Sequence, residues 1–149
     1  MGAFTFATYL SVTKMDFTQT IQNLNWLAII LAALSTFMIG GVWYSVFEKP
    51  WMVANNFTKD DLKKRNMPMV FGLSFLFSLI MSANLAMFIG DENVTFGAIA
   101  GFMTGLGWVA FAIAIVALFE NRPVKYVLIN GGYMVVSFTL MGLILGAWK

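Results

Sequence analysis

Charged side chains are absent from four stretches of the chain, residues 17–47, 66–90, 93–119 and 126–148, and each is dominated by apolar and small residues. A helix crossing the hydrocarbon core of a bilayer needs about 20 mainly apolar residues, and every stretch is longer than that. Strands of an outer-membrane barrel would instead alternate apolar and polar positions over about 10 residues, which these runs do not do. The pattern predicts an all-α polytopic membrane protein, four transmembrane helices in an antiparallel bundle. The expected spans are about residues 24–46, 67–90, 94–119 and 124–148, in one domain over residues 24–149 that follows an N-terminal extension at 1–23.

Local chemistry marks the ends of the spans. Trp26 and the Trp43-Tyr44 pair sit where an aromatic belt would anchor the first span at both interfaces. Pro68 and Pro123 stand where spans two and four begin, because the first turn of a helix has no intrahelical use for the missing amide hydrogen. Only Asp91-Glu92-Asn93 separates spans two and three, and little more than Glu120-Asn121-Arg122 separates three and four, so spans two, three and four are expected as consecutive antiparallel neighbours. The one long connection holds Thr58-Lys59-Asp60-Asp61, a capping residue followed by acidic residues, and ends on Lys63, Lys64 and Arg65. It reads as a short interfacial helix with Trp51, Met52 and Phe57 toward the acyl chains and Lys63, Lys64 and Arg65 toward lipid headgroups, or else as a solvated capped turn. The first 23 residues lack the basic start and long apolar run of a cleavable secretory signal.

Composition strengthens the membrane reading. Hydrophobic residues make up 60% of the 149-residue chain and charged residues 11%, where a soluble domain carries about 25%. The net charge of +2 comes mostly from loop lysines, with no basic stripe for tracking phosphates, so nucleic acid is not an expected partner. The chain has neither Cys nor His, which removes disulfides, thiolate nucleophiles, iron–sulfur clusters and imidazole metal sites; no metal, cofactor or catalytic residue is expected. Lys49, Lys59, Lys63, Lys64, Arg65, Arg122 and Lys125 fall on one side of a four-span chain and Lys14 and Lys149 on the other. Because positive charge stays inside, this predicts both termini outside the cytoplasm and both basic loops within it.

Within the spans, small residues recur every fourth position: Gly97, Gly101 and Gly105 in span three, Ser74, Ser78 and Ser82 in span two, Ala28, Ala32, Thr36 and Gly40 in span one, Gly142 and Gly146 in span four. That spacing lines them along one helix face, where backbones can approach closely in a solvent that gives no hydrophobic drive to associate. They serve either packing within one bundle or a face left over for a homo-oligomer. Asn84 and Asn130 are the costliest uncharged residues in the spans, and each is expected to seek a partner across the bundle. With Trp43, Tyr44, Trp108 and Tyr133 they are the candidate lining of any cavity. No Asp, Glu, Lys or Arg lies within the four charge-free stretches that would sit at membrane depth, which argues against an ion-coupled exporter. Glu48, Asp60, Asp61 and Glu120 could gather at one face as an acid–base pair, against the simpler reading of solvated charges.

Asn25-Trp26-Leu27-Ala28, Gly41-Val42-Trp43-Tyr44-Ser45, Lys49-Pro50-Trp51-Met52, the Thr58–Leu62 cap, Phe71-Gly72, Asn130-Gly131-Gly132-Tyr133 and Leu145-Gly146-Ala147-Trp148 together resemble a family of small bacterial integral membrane proteins catalogued as a domain of unknown function. The resemblance covers residues 25–149 and implies four spans and no known activity. Two function classes are open. The first is a non-enzymatic homo-oligomeric bundle serving as scaffold, subunit of an unidentified membrane protein partner, or binder of membrane lipids. The second is a carrier or channel for a small neutral or amphiphilic molecule.

Overall fold

The computed structural model describes residues 21–148, so the expected N-terminal extension lies almost wholly outside the described residues. The described chain is all-helical, and four of its helices are long and apolar enough to cross a membrane. They are α1 (Trp26–Val46), α4 (Met67–Ile89), α5 (Val94–Phe119) and α6 (Val124–Ala147). Between the first two lie α2 (Glu48–Asn55) and α3 (Lys59–Lys63), so the long connection carries two short helices rather than one.

Four of the six helices start where a side chain takes up amide hydrogens that have no partner within the helix. Asn25 accepts from the amide of Ala28 (3.0 Å), Asn66 from that of Met69 (3.2 Å), and Asn93 from those of Thr95 (3.0 Å) and Phe96 (3.1 Å). Thr58 and Asp61 form a reciprocal capping box at α3. Pro68 occupies the first turn of α4, and Pro123 is the cap residue of α6. The tight turns after α2 and α5 place Asn56 and Asn121 at positive φ (56° and 52°), a conformation that asparagine tolerates better than most residues.

Helix α6 is the hub. It packs along α5 on one side and α1 on another, and touches α2 and α4 more lightly. The α5–α6 seam is a backbone-to-backbone contact: Cβ atoms added at Gly97 or Gly101 would run into the carbonyl oxygens of Gly142 and Phe138, one at Gly142 into that of Gly97, and one at Gly146 would lie 2.8 Å from that of Asn93. Only glycine permits this approach, which yields dispersion contacts where the bilayer supplies no hydrophobic force.

Helix α4 attaches to α1 instead of α5, because the glycine face of α5 is already committed to α6. Ser82 donates to the carbonyl of Ile29 (3.0 Å), and the hydroxyls of Ser78 and Thr36 meet at 3.2 Å. Spans two and three, joined by a four-residue turn, are antiparallel but only loosely apposed. All buried residues of α4, Ser78, Ser82, Leu85 and Ile89, lie in its second half. In its first half, Phe71 and Phe75 each approach Phe37 of α1, with ring centroids 6.2 Å apart, and these rings hold the two helices open.

The middle of α5 departs from regular geometry: Thr104–Ala110 is a π-helical segment, in which each turn takes in an extra residue. The extra residue shifts the facing of the side chains beyond it. Gly101 and Gly105 are buried, yet Trp108, expected on their side from α-helical spacing, is 80% exposed on the outer surface.

Replacing Gly101 by Leu should force α5 from α6 and lower stability by at least about 1–3 kcal/mol, the usual cost of overpacking. Gly72, which has nothing within 4 Å of an added Cβ, should accept Leu without loss. Thermal unfolding in detergent of the two variants checks the contrast.

Candidate functional site

At the end of the bundle where α1 finishes and α6 begins, aromatic side chains converge on one amide. Tyr44 donates its hydroxyl hydrogen to Asn130 Oδ1 (3.1 Å), and Trp51 donates its indole N–H to the same atom (3.3 Å). Asn130 returns its own Nδ2–H to the carbonyl of Tyr126 (2.9 Å). Trp43 donates to the carbonyl of Ile129 (2.9 Å), its ring lying over Gly132, where an added Cβ would come within 3.0 Å. Tyr133 donates to the carbonyl of Thr36 (3.2 Å) and packs on Tyr44, with ring centroids 5.2 Å apart. Each polar tip thus finds an acceptor while its ring stays in apolar surroundings.

Four of the six residues expected to line a cavity, Trp43, Tyr44, Asn130 and Tyr133, are brought together here. Asn84 and Trp108 are not. Asn84 is exposed and donates to the carbonyl of Ile80 on its own helix (2.8 Å) rather than across the bundle. It lines a groove of about 450 Å³ between α4 and α5 with Trp108 and Thr104. Ser137, buried in α6, has a hydroxyl without a partner among the described residues.

Trp51, expected to face the acyl chains, does not. Its indole N–H instead finds Asn130 and docks α2 under the bundle, where its ring meets Tyr44 edge-on at 5.5 Å and Phe57 at 5.6 Å. The unclosed part of the α1–α4 interface above it is a crevice of about 620 Å³, within the range of small-molecule sites. Its floor is Thr36, Ser74 and Ser78, its walls include Phe37, Phe71, Tyr44 and Tyr133, and its mouth is Trp51, Leu62 and Glu48. Val70 and Phe71, which line it, are also exposed on the flank of α4, so the crevice opens sideways onto the surface that meets acyl chains. Sequence reasoning missed Glu48 and Trp51 as lining residues. Their three-residue spacing puts them on one face of a helix, a signal legible only once α2 is known to be helical.

Several of the loop charges are engaged locally. Asp60 pairs with Lys63 (3.0 Å) and Glu120 with Arg122 (3.0 Å), and Asp61 is the partner in the capping box. Among the described residues no three carboxylates gather to hold a metal ion. Lys63 and Lys64 sit at the exposed end of α3, while the Arg65 guanidinium lies over the ring of Phe57 (4.5 Å) and that of Trp51 (6.0 Å). Hydrogen bonds from the Thr58 hydroxyl and amide hold the Asp61 carboxyl below its ordinary range, with the nearby Arg65 charge adding to the effect.

A chain of this build is a multi-pass membrane protein whose features gather at the loop-rich end of a helix bundle. It belongs to the family described as "Protein of unknown function (DUF1761)", whose model matches residues 27–146. No curated protein and no solved structure matches it significantly.

Replacing Asn130 by Ala removes the acceptor of two donors and should lower stability by about 1–3 kcal/mol, with Trp51 released from its dock. A drop in melting temperature together with a shift in tryptophan emission checks this. The Asp61 shift gives a second expectation. A carboxylate with a depressed folded pKa contributes stability at pH values above its unfolded pKa, about 3.9, and loses it as the pH falls through the folded value. Protection of the α3 amides against hydrogen exchange, corrected for intrinsic rates, should hold at neutral pH and collapse below about pH 4. Asp61→Ala should be unprotected at both.

Proposed function

We propose that this chain is a non-enzymatic, lipid-binding helix bundle that works as a homo-oligomer in a bacterial cytoplasmic membrane. The observation that carries this reading is the α1–α4 crevice. It has a hydroxyl-bearing floor, aromatic walls, a side opening toward acyl chains and a mouth at the level of the basic loop, which is the polarity profile of an amphiphile standing upright in one leaflet. The non-enzymatic part is supported by the engagement of Asp60, Asp61 and Glu120, three of the four carboxylates at the basic end that could have formed an acid–base pair, with neighbouring side chains. Charge bias favours the basic end in the cytoplasm.

Association with a second copy is supported by the α4–α5 groove. Asn84 presents an exposed amide at membrane depth, and an amide, being both donor and acceptor, is self-complementary across a twofold axis. Trp108 lines the same groove as Asn84, and Gly107, next to it in the chain, has open space around it.

Native mass spectrometry of the full chain released from lipid nanodiscs tests the reading. The expected species is a defined oligomer that retains one lipid per subunit. Gly41 lines the crevice and has open space around it, so Gly41→Leu should fill the site, lose the retained lipid and keep the wild-type melting temperature. A bare oligomer from both proteins would refute the lipid-binding reading.

A further inference from the structure

Building on the lipid-binding reading, the charges at the mouth of the crevice specify the kind of head the ligand carries. Among the described residues, Glu48 is the one charged side chain that lines the crevice, and it forms no ion pair with any of them. It stands three residues before Trp51 on the same face of α2, so its carboxylate and the Trp51 ring share the mouth with the Tyr44 ring. An ammonium group placed there meets a carboxylate and two electron-rich rings, the combination that favours an alkylammonium over water. The Trp51 ring also carries a fixed cation, the guanidinium of Arg65, which lies 4.5 Å from the centre of the Phe57 ring and 6.0 Å from that of Trp51. A guanidinium placed over aromatic rings still has N–H groups to offer a phosphate.

Glu48 and Trp51 line the opening, and Arg65, outside the lining itself, stands against the Trp51 ring and next to Leu62, whose carbonyl accepts from its amide, so a cation lies beside the carboxylate's end of the crevice. A purely anionic head would satisfy Arg65 and meet Glu48 as a like charge; a purely cationic head would do the reverse. We propose that the crevice selects a zwitterionic aminophospholipid, its ammonium against Glu48, Tyr44 and Trp51, its phosphate at Arg65, and one acyl chain leaving along Val70 and Phe71. The soluble head by itself lacks the apolar part that the crevice walls accommodate, so the ligand is the membrane lipid and not a free phosphorylated amine.

The test uses the full chain in nanodiscs of equal parts dioleoyl phosphatidylethanolamine and dioleoyl phosphatidylglycerol, with the retained lipid identified by native mass spectrometry. The ethanolamine lipid should be retained about tenfold over the glycerol lipid, the ratio that corresponds to a single desolvated cation–π and carboxylate contact. Glu48 is exposed and caps no helix through its side chain, so Glu48→Gln should keep the wild-type melting temperature while its retention ratio falls to near one. Glu48→Asp should recover part of the preference. Equal retention of the two lipids by the wild type, or a preference unchanged in Glu48→Gln, would overturn the head-group assignment and leave the crevice as a lipid site. Displacement of the lipid by glycerophosphoethanolamine would overturn the lipid as the ligand's source. Retention of no lipid by the wild type would instead overturn the lipid-binding reading beneath it.

Discussion

The seam between α5 and α6 sets the terms for everything else in this molecule. In a bilayer, apolar side chains gain nothing by leaving the lipid for each other, so helices associate through close van der Waals contact and buried polar bonds. Gly97, Gly101, Gly142 and Gly146 allow two backbones to touch, with carbonyl oxygens where Cβ atoms would otherwise be. That contact spends one face of α6 on α5 and presents another, with Ile129, Asn130 and Tyr133, to α1. Helix α4 is then left to find its partner on α1, through serine hydroxyls instead of glycines.

From this asymmetry comes the crevice. Helix α4 closes on α1 only from its middle onward, where Ser78 and Ser82 bond to Thr36 and to the Ile29 carbonyl. Its first half carries Phe71 and Phe75, which meet Phe37 and keep the helices apart. A bundle packed equally well along its whole length would have no such opening. The same end of the molecule holds the aromatic residues whose polar tips converge on Asn130, so the open half of one interface is bordered by the most firmly tied half of another. This combination of rigid wall and unfilled space suits a binding site better than a packing defect, because the lining does not depend on the occupant for its position.

Much of the fold was legible along the chain. Three of the four charge-free runs give the span ends closely, since a bilayer demands length and apolarity that few other contexts require; Met67–Ile89 and Val94–Phe119 differ little from what the charge pattern alone indicates, while the first run begins well before Trp26. Thr58 and Pro68 announced helix starts because capping is local chemistry. The candidate site was half legible. Trp43, Tyr44, Asn130 and Tyr133 stand out as polar-tipped residues in apolar runs, but Asn84 stands out equally and turns back on its own helix. Trp108 was misplaced because helical spacing assumes a constant number of residues per turn, and the π-helical segment breaks that assumption.

The sequence by itself determined the solvent, the number of spans and the residues capable of close approach, because each of these depends on composition within a single helix or turn. Only the tertiary structure decided which helix pairs with which, that Trp51 docks on Asn130 instead of dissolving in lipid, and that Glu48 lines a crevice whose Trp51 wall has Arg65 against it. Those outcomes rest on competition among faces: α6 can satisfy one neighbour's glycines and another's hydroxyls at once, α5 cannot also hold α4, and no local pattern records which contact wins.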